Sequence, residues 1–278
     1  MTFGMAFAPG AHLSEAWAAV RRAPLALLGG ALAVGFLQQG PSIVTQLTNG
    51  VDPADPDPMT TLVTGLIGIT LAALGWVLRS WLAPGWIRAQ VAALRGRDEP
   101  ALLVSGGDLF GRFLGWSMLS ASILTAVAAL AVLVGLVVGI VVLGAGVGGS
   151  GDVGALPLAV VAGVGAAVLV GLPLGVWVGL GLALGEHAVV LEGLAPRAAL
   201  SRAWTLAEGH RIELGLFLFV NQLVTMLGFL ACCVGVVPAW AVTSTAQTRA
   251  YMLLVGMVEG GAEGGPPPSA TPPPVVES

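Results

Sequence analysis

Most of the polar side chains that could do chemistry inside this sequence's apolar runs fall in two places. Arg249 lies about 13 residues, or roughly 20 Å of helix, into a run that begins near Val236. Asn221 and Arg249 stand equally far in sequence from Gly235, where the chain can turn. A hairpin turning there brings them to similar depth. Asn221 or Gln222 could then accept hydrogen bonds from the guanidinium, with Thr245 or Thr248 alongside, and fix the packing of the hairpin. The competing reading is an arginine that snorkels to the inner membrane surface. The second place is the pair Glu186 and His187. A carboxylate beside an imidazole suits a proton relay, but neighbours in a helix point to different faces. The pair therefore also reads as a membrane-boundary pair.

Other chemistry is absent from the pattern. Gly144-Ala-Gly146-Val-Gly148-Gly149 looks like a dinucleotide loop, but it ends an apolar run rather than joining a strand to a helix. Asp52, Asp55 and Asp57 could hold Ca²⁺ weakly, yet the prolines between them suit an extended, solvated loop. Cys232 and Cys233 are adjacent and read as small packing residues, with a vicinal disulfide or a modified thiol as the alternative. His12 and His210 fall in polar segments and read as solvated. There is no nucleophile elbow, HExxH, P-loop or Cys/His cluster. No catalytic, cofactor-binding or metal site is expected.

The elements that must carry these residues follow from composition. The chain has 278 residues, 56% hydrophobic and only 9% charged, against about 25% charged in soluble domains. Mean hydropathy is +0.92. Water could not solvate such a surface; lipid can. The net charge of −4 gives no footprint for nucleic acid. A membrane span takes about 20 apolar residues. Six runs are long enough: 24–47, 61–82, 113–147, 153–191, 214–234 and 236–258. The expected fold is all-α, a polytopic bundle of about six spans in three hairpins. The third and fourth runs must tilt, project or bend. Gly171-Leu-Pro173-Leu-Gly175 marks a kink in the fourth.

Charge sets the topology. All eleven basic residues are Arg, and Lys/Arg-rich loops face the cytoplasm. Six spans put every Arg inside; splitting the fourth run would put Arg197, Arg202 and Arg211 outside, so it is kept whole. Residues 1–22 then form an N-terminal cytoplasmic amphipathic segment, 23–258 the membrane domain and 259–278 a Pro/Gly-rich cytoplasmic tail. The tail's composition cannot bury apolar surface, so disorder is expected. A proline-rich ligand motif is the alternative there.

The cytoplasmic segments have patterns of their own. In Pro196–Glu208, Leu200, Ala203, Trp204 and Ala207 share one face, as an interfacial helix requires. Proline suits its start and Gly209 its end. His12–Arg22 repeats the character, with Leu13, Trp17 and Val20 on one stripe. Trp81–Arg95 is a third candidate, or else simple extension of the second span. Leu13-Ser-Glu-Ala-Trp17 matches Leu200-Ser-Arg-Ala-Trp204. Asp108-Leu-Phe110-Gly-Arg112-Phe113 stands in a similar place before the third run. The chain thus divides into three units, each a cytoplasmic segment followed by a hairpin.

These same residues carry a family resemblance. Gly85, Arg95-Gly96-Arg97, Asp108 to Phe113, Val189 to Leu194, Ala198 to His210, Leu227-Gly228, Gly235 to Pro238 and Arg249-Ala-Tyr251 form one pattern. With Ser14 to Trp17, it covers most of residues 12–258. It resembles the membrane-domain-like family related to glycerophosphoryl diester phosphodiesterases. The resemblance implies a six-helix membrane domain without catalytic residues, since the phosphodiesterase domain of some relatives has no counterpart here.

The expectation is therefore a non-enzymatic scaffold or accessory subunit of a bacterial-type inner membrane, with both termini cytoplasmic. Its partners would be the lipid bilayer and another membrane protein or a cytoplasmic enzyme. A small transporter or channel is the alternative, because transporters also use repeats and broken helices.

Overall fold

A computed structural model describes residues 9–48, 58–147, 155–230 and 233–257. Among them the fold is all-helical. The helices are α1 (Pro9–Arg22), α2 (Pro24–Thr48), α3 (Pro58–Leu94), α4 (Phe110–Val147), α5 (Ala155–Leu182), α6 (Gly185–Leu191), α7 (Pro196–Ala207), α8 (Arg211–Leu230) and α9 (Cys233–Leu254). A 3₁₀ segment, Pro100–Leu109, joins α3 to α4. Several elements begin on proline, whose fixed φ and missing N–H suit a first turn. After α6 and α7 the chain reverses at Gly193 (φ +67°) and Gly209 (φ +82°), a left-handed geometry that favours glycine.

Four helical stretches, around α3, α4, α5–α6 and α8, are long and apolar enough to cross a membrane. The α1–α2 pair, bent by 104°, would make a fifth. α9 is not among them, because Thr243, Ser244, Thr245, Gln247, Thr248 and Arg249 interrupt its apolar sequence. The first two loops between the expected hairpin arms, with Asp52, Asp55, Asp57 and Asp152, lie partly or wholly outside the described residues, as do Ala231 and Cys232; Gly235, the expected third turn, instead lies inside α9, and the expected fifth span ends early, at Leu230. The tail 259–278 also lies outside the described residues.

Two boundaries differ from the sequence expectation. The fourth run is not one helix: it stops at Leu182 and restarts at Gly185. The break falls where the Trp116 ring packs so closely on Gly185 that a Cβ there would lie 2.1 Å from it. Pro173, the expected kink site, sits inside α5 without ending it. The segment from Trp81 is not a separate interfacial helix either. α3 runs straight through it for 37 residues, burying Ala83, Trp86, Ile87, Ala89 and Ala93 in the core.

The packing divides into two regions. α4 and α5 form a long hairpin whose backbones meet at Gly135 and Gly163; a Cβ on either would lie 2.6–2.7 Å from the other's carbonyl oxygen. The other region is a hub in which α9 touches α1, α2, α3 and α8. Its largest buried side chains include Tyr251, Phe217, Leu27, Leu214 and Met252. Trp86 and Trp240 meet there at 5.1 Å between ring centroids, each seated over a glycine of α2, Gly30 and Gly35 respectively.

Candidate functional site

The hub holds a chain of buried polar side chains from three helices. Gln90 of α3 donates from its amide nitrogen to Ser244 Oγ of α9 at 3.0 Å, and Ser244 donates on to the Trp240 carbonyl at 2.8 Å. Thr248 Oγ1 donates to Gln90 Oε1 at 2.5 Å. That uses the hydroxyl's only hydrogen. His187 Nε2 of α6, 3.1 Å from Thr248 Oγ1, must therefore be the donor in its own bond. The neutral imidazole then keeps a bare Nδ1 as an acceptor, and that atom is buried with no hydrogen-bond partner among the described residues. Tyr251 stacks on His187 at 5.5 Å. Its hydroxyl donates to Glu192, which Arg202 of α7 also reaches, through Nε at 3.2 Å.

Beside this chain lies a cavity of about 210 Å³, lined by Arg79, Trp86, Gln90, Glu186, His187 and Gln247 among others. A second cavity of about 230 Å³ lies against Trp116, Ser117 and Ser120. Arg79 and Glu186 line both. Their ion pair is loose, at 3.7 Å. Arg79 Nε and Trp86 Nε1 are buried without a partner among the described residues, like His187 Nδ1. Buried polar atoms are normally satisfied. Three exceptions in residues that line one polar cavity make this the candidate site.

Ion pairs fasten the segment at the head of each unit to the hub. Glu15 of α1 pairs with Arg249 Nε at 2.5 Å. Asp108 of the 3₁₀ segment pairs with Arg88 Nη2 at 2.6 Å. Arg202 of α7 pairs with Glu192. Glu15 and Arg202 occupy the same position of the repeated five-residue motif with opposite charge, and each finds a partner of opposite sign. Arg112 adds a bond from Nη1 to the Gly193 carbonyl at 2.7 Å.

The expected Arg249 cluster is not what forms. Arg249 turns to α1, bonding Glu15 and, at 2.7 Å, His12 Nδ1. His12, expected to be solvated, is fully buried and meets Phe217 edge-on at 5.6 Å. Asn221 is buried on α8 but its amide has no hydrogen-bond partner among the described residues. Gln222 is exposed. Thr245 bonds its own helix, at the Ala241 carbonyl. Glu186 and His187 do split to different partners, Arg79 and Thr248. Around α1 and α7 the buried stripes run through His12, Ala16, Ala19 and Val20, and through Ala199, Ala203 and Ala207. Trp17 and Trp204 stand beside them, 46% and 37% exposed.

Sequence reasoning did not single out Gln90 or Tyr251. Gln90 is the one uncharged polar residue between Trp81 and Leu94, and that isolation was its signal. Tyr251, the chain's only tyrosine, stood only in the resemblance pattern, with no role given to its hydroxyl.

Comparison of the chain with family models, with curated proteins and with solved structures finds no match.

Proposed function

We propose that this chain is a multi-pass membrane scaffold or accessory subunit with no catalytic chemistry of its own. The observation that carries the reading is the number of exposed large apolar side chains on α3, α4, α5 and α8, including Leu66, Leu133, Leu169 and Leu230. Monomers in water rarely leave so large an apolar area uncovered; lipid or a membrane partner covers it. In this reading α9 is the last of six spans despite its polar face, because that face is spent on neighbouring helices. The arginine-bearing segments α1, α3–α4 and α7 then lie on the cytoplasmic side, in a bacterial-type inner membrane. The membrane-domain-like family of the glycerophosphoryl diester phosphodiesterases is the proposed kin. In support, its motif residues Asp108, Arg112, Glu192 and Arg249 all hold fastening posts in the hub.

The test is extraction in mild detergent followed by native mass spectrometry. Recovery of a stoichiometric membrane protein or tightly held lipid supports the scaffold; repeated recovery of the bare chain opposes it. One observation favours a transporter instead: Arg79 and Glu186 stand between two cavities. Solute flux into proteoliposomes that falls in Glu186→Gln would support that second reading.

A further inference from the structure

We propose that Arg211 and the two tryptophans that hold it, Trp177 and Trp204, form a binding site for the headgroup phosphate of an anionic phospholipid. The proposal rests on the membrane reading above and names a ligand for it.

The cation is the odd one out. Among the described residues five arginines are half-buried: Arg79, Arg88, Arg202, Arg211 and Arg249. Four of them each reach a carboxylate. Arg211 reaches none, and it makes no hydrogen bond among the described residues. Arg21, Arg95 and Arg197 lack a partner there too, but they are exposed, so water solvates them. Half-burying a charge without an opposite charge is costly. An anion from outside the chain would offset that cost.

What holds Arg211 is aromatic. Its guanidinium carbon lies 3.7 Å from the ring centroid of Trp177 on α5 and 4.7 Å from that of Trp204 on α7. A Cβ on Gly181 would lie 1.5 Å from the Trp204 ring, so the ring takes this seat because position 181 is glycine. Stacking uses the faces of the guanidinium. Its N–H donors point outward in the plane, in a fork that matches two phosphate oxygens. Nη1 is sealed in without a partner, which leaves Nε and Nη2 as the edge open to a ligand. Both tryptophans are exposed, and neither indole N–H has a partner among the described residues.

The surroundings favour a lipid over a free phosphate. One turn along, α5 and α8 meet, where a Cβ on Gly215 would touch the Leu180 side chain at 3.6 Å. Either helix leaves large apolar side chains exposed nearby, Leu172 and Val176 on α5 and Leu216 and Phe219 on α8. Acyl chains can cover these; a free anion cannot. In the membrane reading α5 ends and α8 begins at the cytoplasmic face. Tryptophan sits at headgroup depth there, and that leaflet carries the anionic lipids.

The test is native mass spectrometry of the full chain in detergent, with an equimolar mixture of phosphatidylglycerol and phosphatidylcholine. The wild type should retain phosphatidylglycerol in preference by roughly fivefold or more. Arg211→Gln should bring that preference close to parity, and Arg197→Gln, which removes an exposed arginine, should keep it. No preference in the wild type overturns the proposal, and that arm does not depend on any variant folding. Equal losses in the two variants also overturn it, by reducing the effect to general attraction of anions. Displacement of the lipid by an equal concentration of glycerol phosphate overturns the lipid as ligand. A chain that stays dispersed in buffer after the detergent is removed refutes the membrane reading itself, and the lipid site with it. One that needs detergent yet shows no preference refutes the lipid site alone.

Discussion

The α4–α5 hairpin and the α9 hub solve the same problem by opposite means. In the proposed membrane setting both would bring helices together in lipid, where apolar burial alone gives no preference for protein over solvent. The hairpin does it with absence. At Gly135 and Gly163 the missing Cβ lets carbonyls and backbones touch, and close dispersion contacts do the rest. The hub does it with bonds, joining α1, α3, α6 and α9 through Gln90, Thr248, His187, Arg249 and Glu15. The difference teaches where specificity resides. A glycine seam fixes distance but tolerates rotation; a donor–acceptor chain fixes partners, because each member must meet particular groups, as Thr248 meets both Gln90 and His187.

The largest expected effect tests the hub. Arg249 is 13% exposed and pairs with Glu15. Arg249→Leu removes the guanidinium's bonds to His12 and Glu15; because the Glu15 side chain is 54% exposed, solvent limits the loss to about 2–3 kcal/mol. A steep fall in melting temperature in detergent is expected. No change, or a gain, would mean that the hub is held by apolar packing like the hairpin. Next comes the hairpin itself. Gly163→Val forces a branched side chain against the Gly135 carbonyl, at a cost of about 1–3 kcal/mol. Gly165→Val, one pair of residues along the same helix, meets nothing within 4 Å and should be silent in the same assay. If the two variants melt alike, the seam is not what holds the hairpin.

The hub's relay can be cut without changing volume. Thr248→Val removes the hydroxyl that serves both Gln90 and His187. Two buried groups lose a partner, worth about 1–3 kcal/mol, less than the loss of a charge pair. Ser122→Ala is the control: that hydroxyl bonds its own helix at the Met118 carbonyl and should cost little. Equal melting temperatures for the two variants would reduce the relay to ordinary local bonding.

The two regions also differ in how far they could be read from sequence. The close contact of α4 with α5 was legible: apolar runs without charge and the Gly135/Gly139 spacing point to close helix packing, and both glycines meet α5. The segment α7 was legible too, from its proline start, glycine stop and amphipathic spacing, and α1 from its spacing alone, with its start placed three residues late. The hub was legible only in its ingredients. Arg249, Thr245, Glu186 and His187 stood out because polar groups in apolar runs are costly. Their partners did not, because pairing depends on which helix lies across the interface. Depth matching pointed Arg249 at Asn221, its neighbour in the hairpin, whereas α1 folds back by 104° and presents Glu15 first. The break at Leu182 was likewise hidden, since it depends on a tryptophan from another helix settling on Gly185.

The smallest expected effect lies at the hub's rim. Asp108 is bound by Arg88 in a two-pronged pair, at 2.9 and 2.6 Å, and Arg88 also donates to the Ser105 carbonyl. The 3₁₀ segment that carries Asp108 precedes the expected third span. Hydrogen bonding from Arg88, with its charge, holds the Asp108 carboxyl below the usual aspartate range, against an opposing desolvation. A depressed carboxylate adds stability above its unfolded pKa of about 3.9 and loses it as pH falls through the folded value. Because the Asp108 side chain is 59% exposed, screening by solvent limits the contribution to below about 1 kcal/mol. Asp108→Asn should therefore melt slightly below wild type at pH 7, and the gap should narrow below about pH 4 and at high salt. No gap at pH 7 would show that the Arg88–Ser105 bond, which Asp108→Asn leaves in place, holds this segment to α3 without the ion pair. The rim would then rest on a guanidinium donating to a backbone carbonyl, a charge-assisted bond, where the buried relay uses neutral groups.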